Sequence, residues 1–180
     1  MRFSHANLTL TRLVLNHLVV AKIAEVPVFS AAVLSTLHLF ALALGLPGVF
    51  LRGRALRAMK SDPTAMSRVL TADGLWGVAA LLWLGTGLSR AFGSFEKGSG
   101  YYLNSGAFQL KMGLFILILL LELWPMITFI SWRIRQAKGQ PIDTSRVGLL
   151  ARVNDAELVL VIAMPFLASM MARGLGFGWS

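Results

Sequence analysis

At 180 residues, 56% of them apolar and 14% charged, the chain is too apolar for a soluble domain, which carries about a quarter charged residues. The formal charge of +9 resembles that of a nucleic-acid binder. The bases, however, gather beside apolar runs, where they set membrane topology and meet anionic lipid, so no nucleic-acid partner is expected. The absence of cysteine excludes disulfides, thiolate zinc sites and cysteine-held iron–sulfur clusters.

Residues 1–27 form the first segment. Its apolar stretch is broken by Arg12, Asn16, His17 and Lys22, so it lacks the uninterrupted hydrophobic region of a signal peptide. Each central charge would also cost a few kcal/mol in a spanning helix. Leu8, Val14, Leu15, Leu18 and Val19 still supply an apolar side. An amphipathic helix lying at the membrane surface is expected.

Residues 28–180 hold four long apolar runs, at 28–51, 74–92, 107–130 and 156–172. A helix needs roughly 20 residues to cross the hydrocarbon core, so the predicted fold is all-α, an integral membrane four-helix bundle. Between the first two runs lie Arg52, Arg54, Arg57, Lys60 and Arg68, and between the last two Arg133, Arg135, Lys138, Arg146 and Arg152. Lys97 is alone in the middle connection, with Arg90 at its edge. The positive-inside rule then predicts that the basic loops face the cytoplasm and that both termini lie outside. Arg2, Arg12 and Lys22 dissent, but are outnumbered.

Local signals fit this frame. Trp132 and the pair Tyr101–Tyr102 bracket the third run, where interfacial aromatic belts sit. The glycine- and serine-rich connection 93–106 is expected to be irregular. Asp62–Pro63 and Gly139–Gln140–Pro141 break the two basic loops, and Ser61 or Asp62 is placed to cap the helix entering the second span.

The ionisable residues inside the runs mark the candidate site. His38, near the middle of the first span, reads as a haem or metal ligand or a proton-transfer group, or else as a histidine bonded to a neighbouring helix. Glu122 and Lys111 lie eleven residues apart, which returns a helix to within about 20° of its starting direction. Lys111, Phe115, Ile118, Glu122, Met126 and Phe129 therefore share a face, expected to be interior, with the two charges about 16 Å apart along the axis. Glu122 and His38 are at similar depth, which leaves a direct contact open.

The second span carries Gly74, Gly77, Ala80, Gly85 and Gly87, small residues that allow close helix approach or room for a flat ligand. Trp76 and Trp83 share a face there. Arg90 could meet an anionic group such as a propionate, or act as an interfacial anchor. Asp73, with Arg52, Arg54 or Arg68 as partner, and Asn154, Asp155 and Glu157 read as residues favouring helix N-termini. Met112, Met126, Met164, Met170 and Met171 could bind copper(I) or serve as an axial ligand, although methionine in a span is usually packing.

Leu37-His38-Leu39 in a span ending Arg52-Gly-Arg54, the run from Arg68 through Asp73 to Trp76-Gly77, and Phe108-Gln-Leu-Lys111-Met-Gly-Leu-Phe115 resemble a family of small bacterial predicted membrane proteins, a domain of unknown function, over roughly residues 30–175. The layout is similar, more distantly, to HemJ-type protoporphyrinogen oxidase and to the CopD copper-resistance domain. The HemJ likeness implies a haem ligand at His38 and a required lysine at Lys111. Phe108-Gln-Leu-Lys111 keeps that lysine without the tryptophan of the pattern, and Glu122 departs from it.

Together these readings predict a haem-binding redox protein. His38 would be the metal ligand, Lys111 or Arg90 would face a haem propionate, and Glu122 and Lys111 would serve catalysis. The competing expectation is a non-enzymatic membrane protein for ion or metal transport, or a subunit of a larger membrane complex or homo-oligomer.

Overall fold

The computed structural model describes the backbone of residues 5–62, 64–92 and 106–173, with side chains from residue 28 onward except at 91 and 172. Its helices are α1 (His5–Ala58), α2 (Ala65–Phe92), α3 (Gly106–Ala137) and α4 (Val147–Ala172). No strand occurs among the described residues.

The first helix runs unbroken for 54 residues, about 80 Å at 1.5 Å per residue. Residues 5–27 thus continue into the first span as helix, and the apolar side expected for them lies outside the described side chains. Val28–Ala58, Ala65–Arg90 and Gly106–Ala137 are long and apolar enough to cross a membrane. The fourth expected run, 156–172, falls within α4, whose first half also carries Arg152, Asp155 and Glu157.

Both described connections are short. Asp62 Oδ1 accepts the backbone N–H of Thr64 at 2.9 Å, and Asp62 O that of Ala65 at 3.0 Å, so Asp62 leads into α2 as its sequence position predicts. After α3 the chain turns at Gly139, whose φ of 62° is the left-handed conformation that glycine adopts without strain. Gln140 N–H closes that turn onto Arg135 O at 2.9 Å. The expected irregular connection and Tyr101–Tyr102 lie outside the described residues, apart from Gly106, which opens α3.

Around the ring, α1 packs on α2 and α4, and α3 packs on α4. The α2–α3 approach is slight, and the diagonal pairs bring no Cα atoms close among the described residues. The intimate contacts come from α1. A Cβ at Gly48 would lie 3.1 Å from the Trp76 backbone nitrogen, and one at Gly45 3.1 Å from Ala79 Cβ. Of the α2 glycines, Gly77 and Gly85 meet nothing within 4 Å, whereas a Cβ at Gly87 would meet His38 and one at Gly74 would meet Arg133. Small residues sit where backbones must touch, and here Gly45 and Gly48 of α1 meet Ala79 and Ala72 of α2.

The interior has two apolar layers. One, toward the basic loops, joins Leu56, Val69, Leu70, Phe129, Trp132 and Leu150. The other, toward the opposite end, joins Ala41, Val49, Trp76, Trp83, Val161 and Met164. Trp132 is only 3% exposed and stacks on Phe129 at 5.3 Å between centroids. It is a core residue, not the interfacial anchor expected, because the bundle extends past it to Ala137. Outward faces are apolar, with Leu39, Phe40, Leu81, Leu120, Ile127 and Phe166 among the exposed side chains. That surface suits lipid.

Candidate functional site

Between the two apolar layers lies a charged one. Arg52 of α1 is 0% exposed, and all five of its N–H donors have acceptors. Nε donates to Asn154 Oδ1 at 2.8 Å, and Nη1 to Asp73 Oδ1 at 3.2 Å and Glu122 Oε1 at 2.8 Å. Nη2 donates to Glu122 Oε2 at 2.8 Å and Glu157 Oε2 at 2.5 Å. The planar fork of a guanidinium suits such bidentate pairing, as a lysine could not. All four helices contribute.

The supporting groups are fixed in turn. Asn154 Nδ2 donates to Val49 O at 3.0 Å, which orients the amide oxygen toward Arg52. Trp76 Nε1 donates to Glu122 Oε2 at 2.9 Å. Arg133 Nη2 donates to Asp73 Oδ2 at 2.9 Å and to Leu70 O. The Trp76 and Phe129 rings lie 5.9 and 5.6 Å from the Arg52 guanidinium carbon, within cation–π range. One buried atom is left over: Glu157 Oε1 has no hydrogen-bond partner among the described residues.

A second polar feature lies toward the far end of the bundle. A cavity of about 230 Å³ opens between all four helices, and its mostly apolar wall includes His38, Trp83, Lys111, Met112 and Met164. His38 Nδ1 is 2.8 Å from Thr86 Oγ1, and the Thr86 hydroxyl lies 2.6 Å from Leu82 O. With the threonine hydrogen given to that carbonyl, the imidazole must donate through Nδ1. The neutral tautomer therefore carries its lone pair on Nε2. Trp83 packs 6.2 Å from the imidazole centroid, and its Nε1 donates to His38 O at 3.1 Å. A Cβ on Gly87 would sit 3.5 Å from His38 Cε1, an ordinary packing contact.

The structure thus divides the expected site. His38 and Lys111 share the cavity wall, as expected, whereas Glu122 is not in that wall and has Arg52 as partner. Arg52 follows His38 by fourteen residues, about 21 Å along a helix, which places the two features at different depths. The open His38–Glu122 contact is not made. Arg90 lies in the last turn of α2 and is not in the cavity wall, although Leu88 and Phe92 beside it are.

Other expectations change for the same reason, that the helices begin earlier than the apolar runs. Asn154, Asp155 and Glu157 lie well inside α4, whose N-cap is Arg146 with no side-chain capping bond. Two of them serve Arg52, and Asp155 pairs with Arg57 at 2.7 Å. Asp73 likewise lies well inside α2 and pairs with Arg52, as foreseen, and also with Arg133. Arg68 turns to Asp62 instead. On α3 the interior face holds at Ile118 and Phe129, but Met126 is 41% exposed. There the buried row passes through Pro125, three residues after Glu122, instead of four.

Arg52 is the residue that sequence reasoning misplaced, since a base at the end of an apolar run reads as a topology signal. Its phase was the available clue. Ala41, Gly45, Gly48, Val49, Arg52 and Leu56 recur at helical spacing, and all are buried.

No group of three or more histidine, aspartate or glutamate side chains suited to a metal occurs among the described residues. The fold and these features define a polytopic α-helical membrane protein with a buried charged layer and a separate apolar cavity. Residues 30–176 match the family model described as predicted membrane protein (DUF2214), and the chain belongs to that family. No curated protein and no solved structure matches, so the likeness of layout to the HemJ and CopD types rests on the quoted residues alone.

Proposed function

We propose that the His38–Lys111 cavity is the working site and that the protein is a haem-binding redox protein of the bacterial inner membrane. The observation that carries this is the 2.8 Å contact between His38 Nδ1 and Thr86 Oγ1, with that hydroxyl also 2.6 Å from Leu82 O. An imidazole whose Nδ1–H is held by Thr86 would offer a more basic Nε2 to a metal, in the manner of ligands fixed by a hydrogen-bonded neighbour. The donor set fits haem: one such imidazole, an apolar wall and a lysine cation for a propionate. The cavity volume of about 230 Å³ is below the roughly 300–1,000 Å³ typical of ligand sites, too small to enclose a whole porphyrin. Bound haem would supply electron transfer, with His38 to ligate it and Lys111 to meet an anionic group on it. Glu122 has no part in that site.

The orientation proposed keeps the basic loops in the cytoplasm and both termini in the periplasm, on the strength of Arg54, Arg57, Lys60, Arg135, Lys138 and Arg146. The haem content of protein expressed with haem supply tests the reading. Wild type should carry haem and His38→Ala should lose it while remaining folded; absence of haem from wild type would defeat the proposal.

A second reading has its own support. Met112 and Met164 share the cavity with His38, and thioether and imidazole donors suit copper(I). A non-enzymatic metal-transport protein, working alone or as a subunit of a larger complex or homo-oligomer, would use the same cavity. Copper retained with no haem would favour it.

A further inference from the structure

The charged layer is out of balance. Arg52 and Arg133 face Asp73, Glu122 and Glu157, so two guanidiniums stand against three carboxylates. The remaining ionic pair nearby, Arg57 with Asp155, is half-exposed and self-contained. Apolar layers close the site on both sides, and Glu157 is 0% exposed. An uncompensated anion in such a place is expensive, whereas a neutral carboxyl asks far less of its surroundings.

Two further observations locate the missing positive charge. Carboxylate oxygens of Glu122 and Glu157 converge on the single Arg52 nitrogen Nη2, so the two like charges are close. Glu122 meets Arg52 through both oxygens and Trp76 through one. Glu157 uses only Oε2, and its buried Oε1 has no partner among the described residues. Of the three carboxylates, Glu157 has least to lose by becoming neutral.

We propose that the layer is a proton-binding site, in which one exchangeable proton resides on the Glu157 carboxyl at Oε1 and closes the charge balance around Arg52. This stands whatever occupies the cavity at the other end of the bundle. It makes Glu157 a position at which a proton can enter or leave the membrane interior, while Arg52, Glu122 and Asp73 keep the helices together. Release of that proton leaves two facing carboxylates to share one guanidinium nitrogen. The loosening this causes runs through all four helices.

Infrared spectroscopy on the purified full-length protein in lipid nanodiscs tests this directly. At neutral pH the wild type should show the C=O stretch of a protonated carboxyl, shifted in D2O. That band should vanish in Glu157→Gln and move in Glu157→Asp. Glu157→Gln, a neutral isostere, should fold with a neutral-pH melting temperature close to that of wild type and lose the wild-type fall in melting temperature at high pH. A wild type without the band, a band surviving in Glu157→Gln, or failure of that variant to fold would each overturn the proposal. So would a melting temperature that rises with sodium but not with choline at matched ionic strength, since a metal cation would then fill the vacancy.

Discussion

Arg52 and Glu122 form a two-point pair, 2.8 Å at each point, across the diagonal of the bundle, although the backbones of α1 and α3 do not come close. The side chains bridge a gap that the helices leave open. Removing one partner strands the other in an apolar interior, which typically costs about 3–5 kcal/mol.

Arg52→Ala should therefore lower stability by about 3–5 kcal/mol, and Arg52→Lys should recover little, because an ammonium cannot supply the bidentate fork. Denaturation in detergent, followed by circular dichroism, checks both. Arg54→Ala, two residues on and exposed on the opposite side of the helix, should change little.

Glycine substitutions should follow the α1 contacts. A Cβ at Gly53 would collide with the Asn154 amide, and one at Gly48 would press on the Trp76 backbone. Gly48→Ala should cost about 1–3 kcal/mol through overpacking, and Gly53→Ala should cost more than Gly48→Ala. Gly77→Ala has open space and should be neutral or stabilise by up to about 1 kcal/mol through helix propensity. Thermal melts of the three variants give the order.

The architecture was largely legible in the sequence, because apolar run length fixes helices in a bilayer almost unaided. The site was legible in part. His38 and Lys111 stood out as ionisable groups in apolar runs and do share a wall. Glu122 was recognised as interior, but its partner was not, since Arg52 lies where topology-setting bases also lie. Asn154 and Glu157 were misread for a related reason: α4 begins at Val147, ahead of its apolar run, so an apparent N-terminus is mid-helix. Run boundaries report lipid contact, and helix boundaries do not have to follow them.

The loop carboxylate Asp62 is held below its ordinary value of 3.8, chiefly by the Thr64 hydroxyl, with the Thr64 amide and Arg68 adding to it. A depressed folded-state value means stability that is present above the ordinary carboxylate range and lost as pH falls through it. The α1–α2 turn should accordingly loosen on acidification below about pH 4, and Asp62→Asn should blunt that response. Hydrogen exchange at Thr64 and Ala65 reads it.

Orientation can be read without background, because the chain has no cysteine. Single cysteines at Lys60 and Lys138 should resist a membrane-impermeant thiol reagent added to intact cells, while one at Lys97 should react. Labelling of Lys60→Cys from outside would reverse the proposed topology.

The cavity and the charged layer are proposed as separate sites, His38 serving the first and Glu122 the second. Visible absorption spectra of purified wild type, His38→Ala and Glu122→Gln after expression with haem supply distinguish them. Wild type should show a Soret band, His38→Ala should lose it, and folded Glu122→Gln should keep it unshifted. No band in wild type, a band that survives in His38→Ala, or one displaced equally by both substitutions would contradict this.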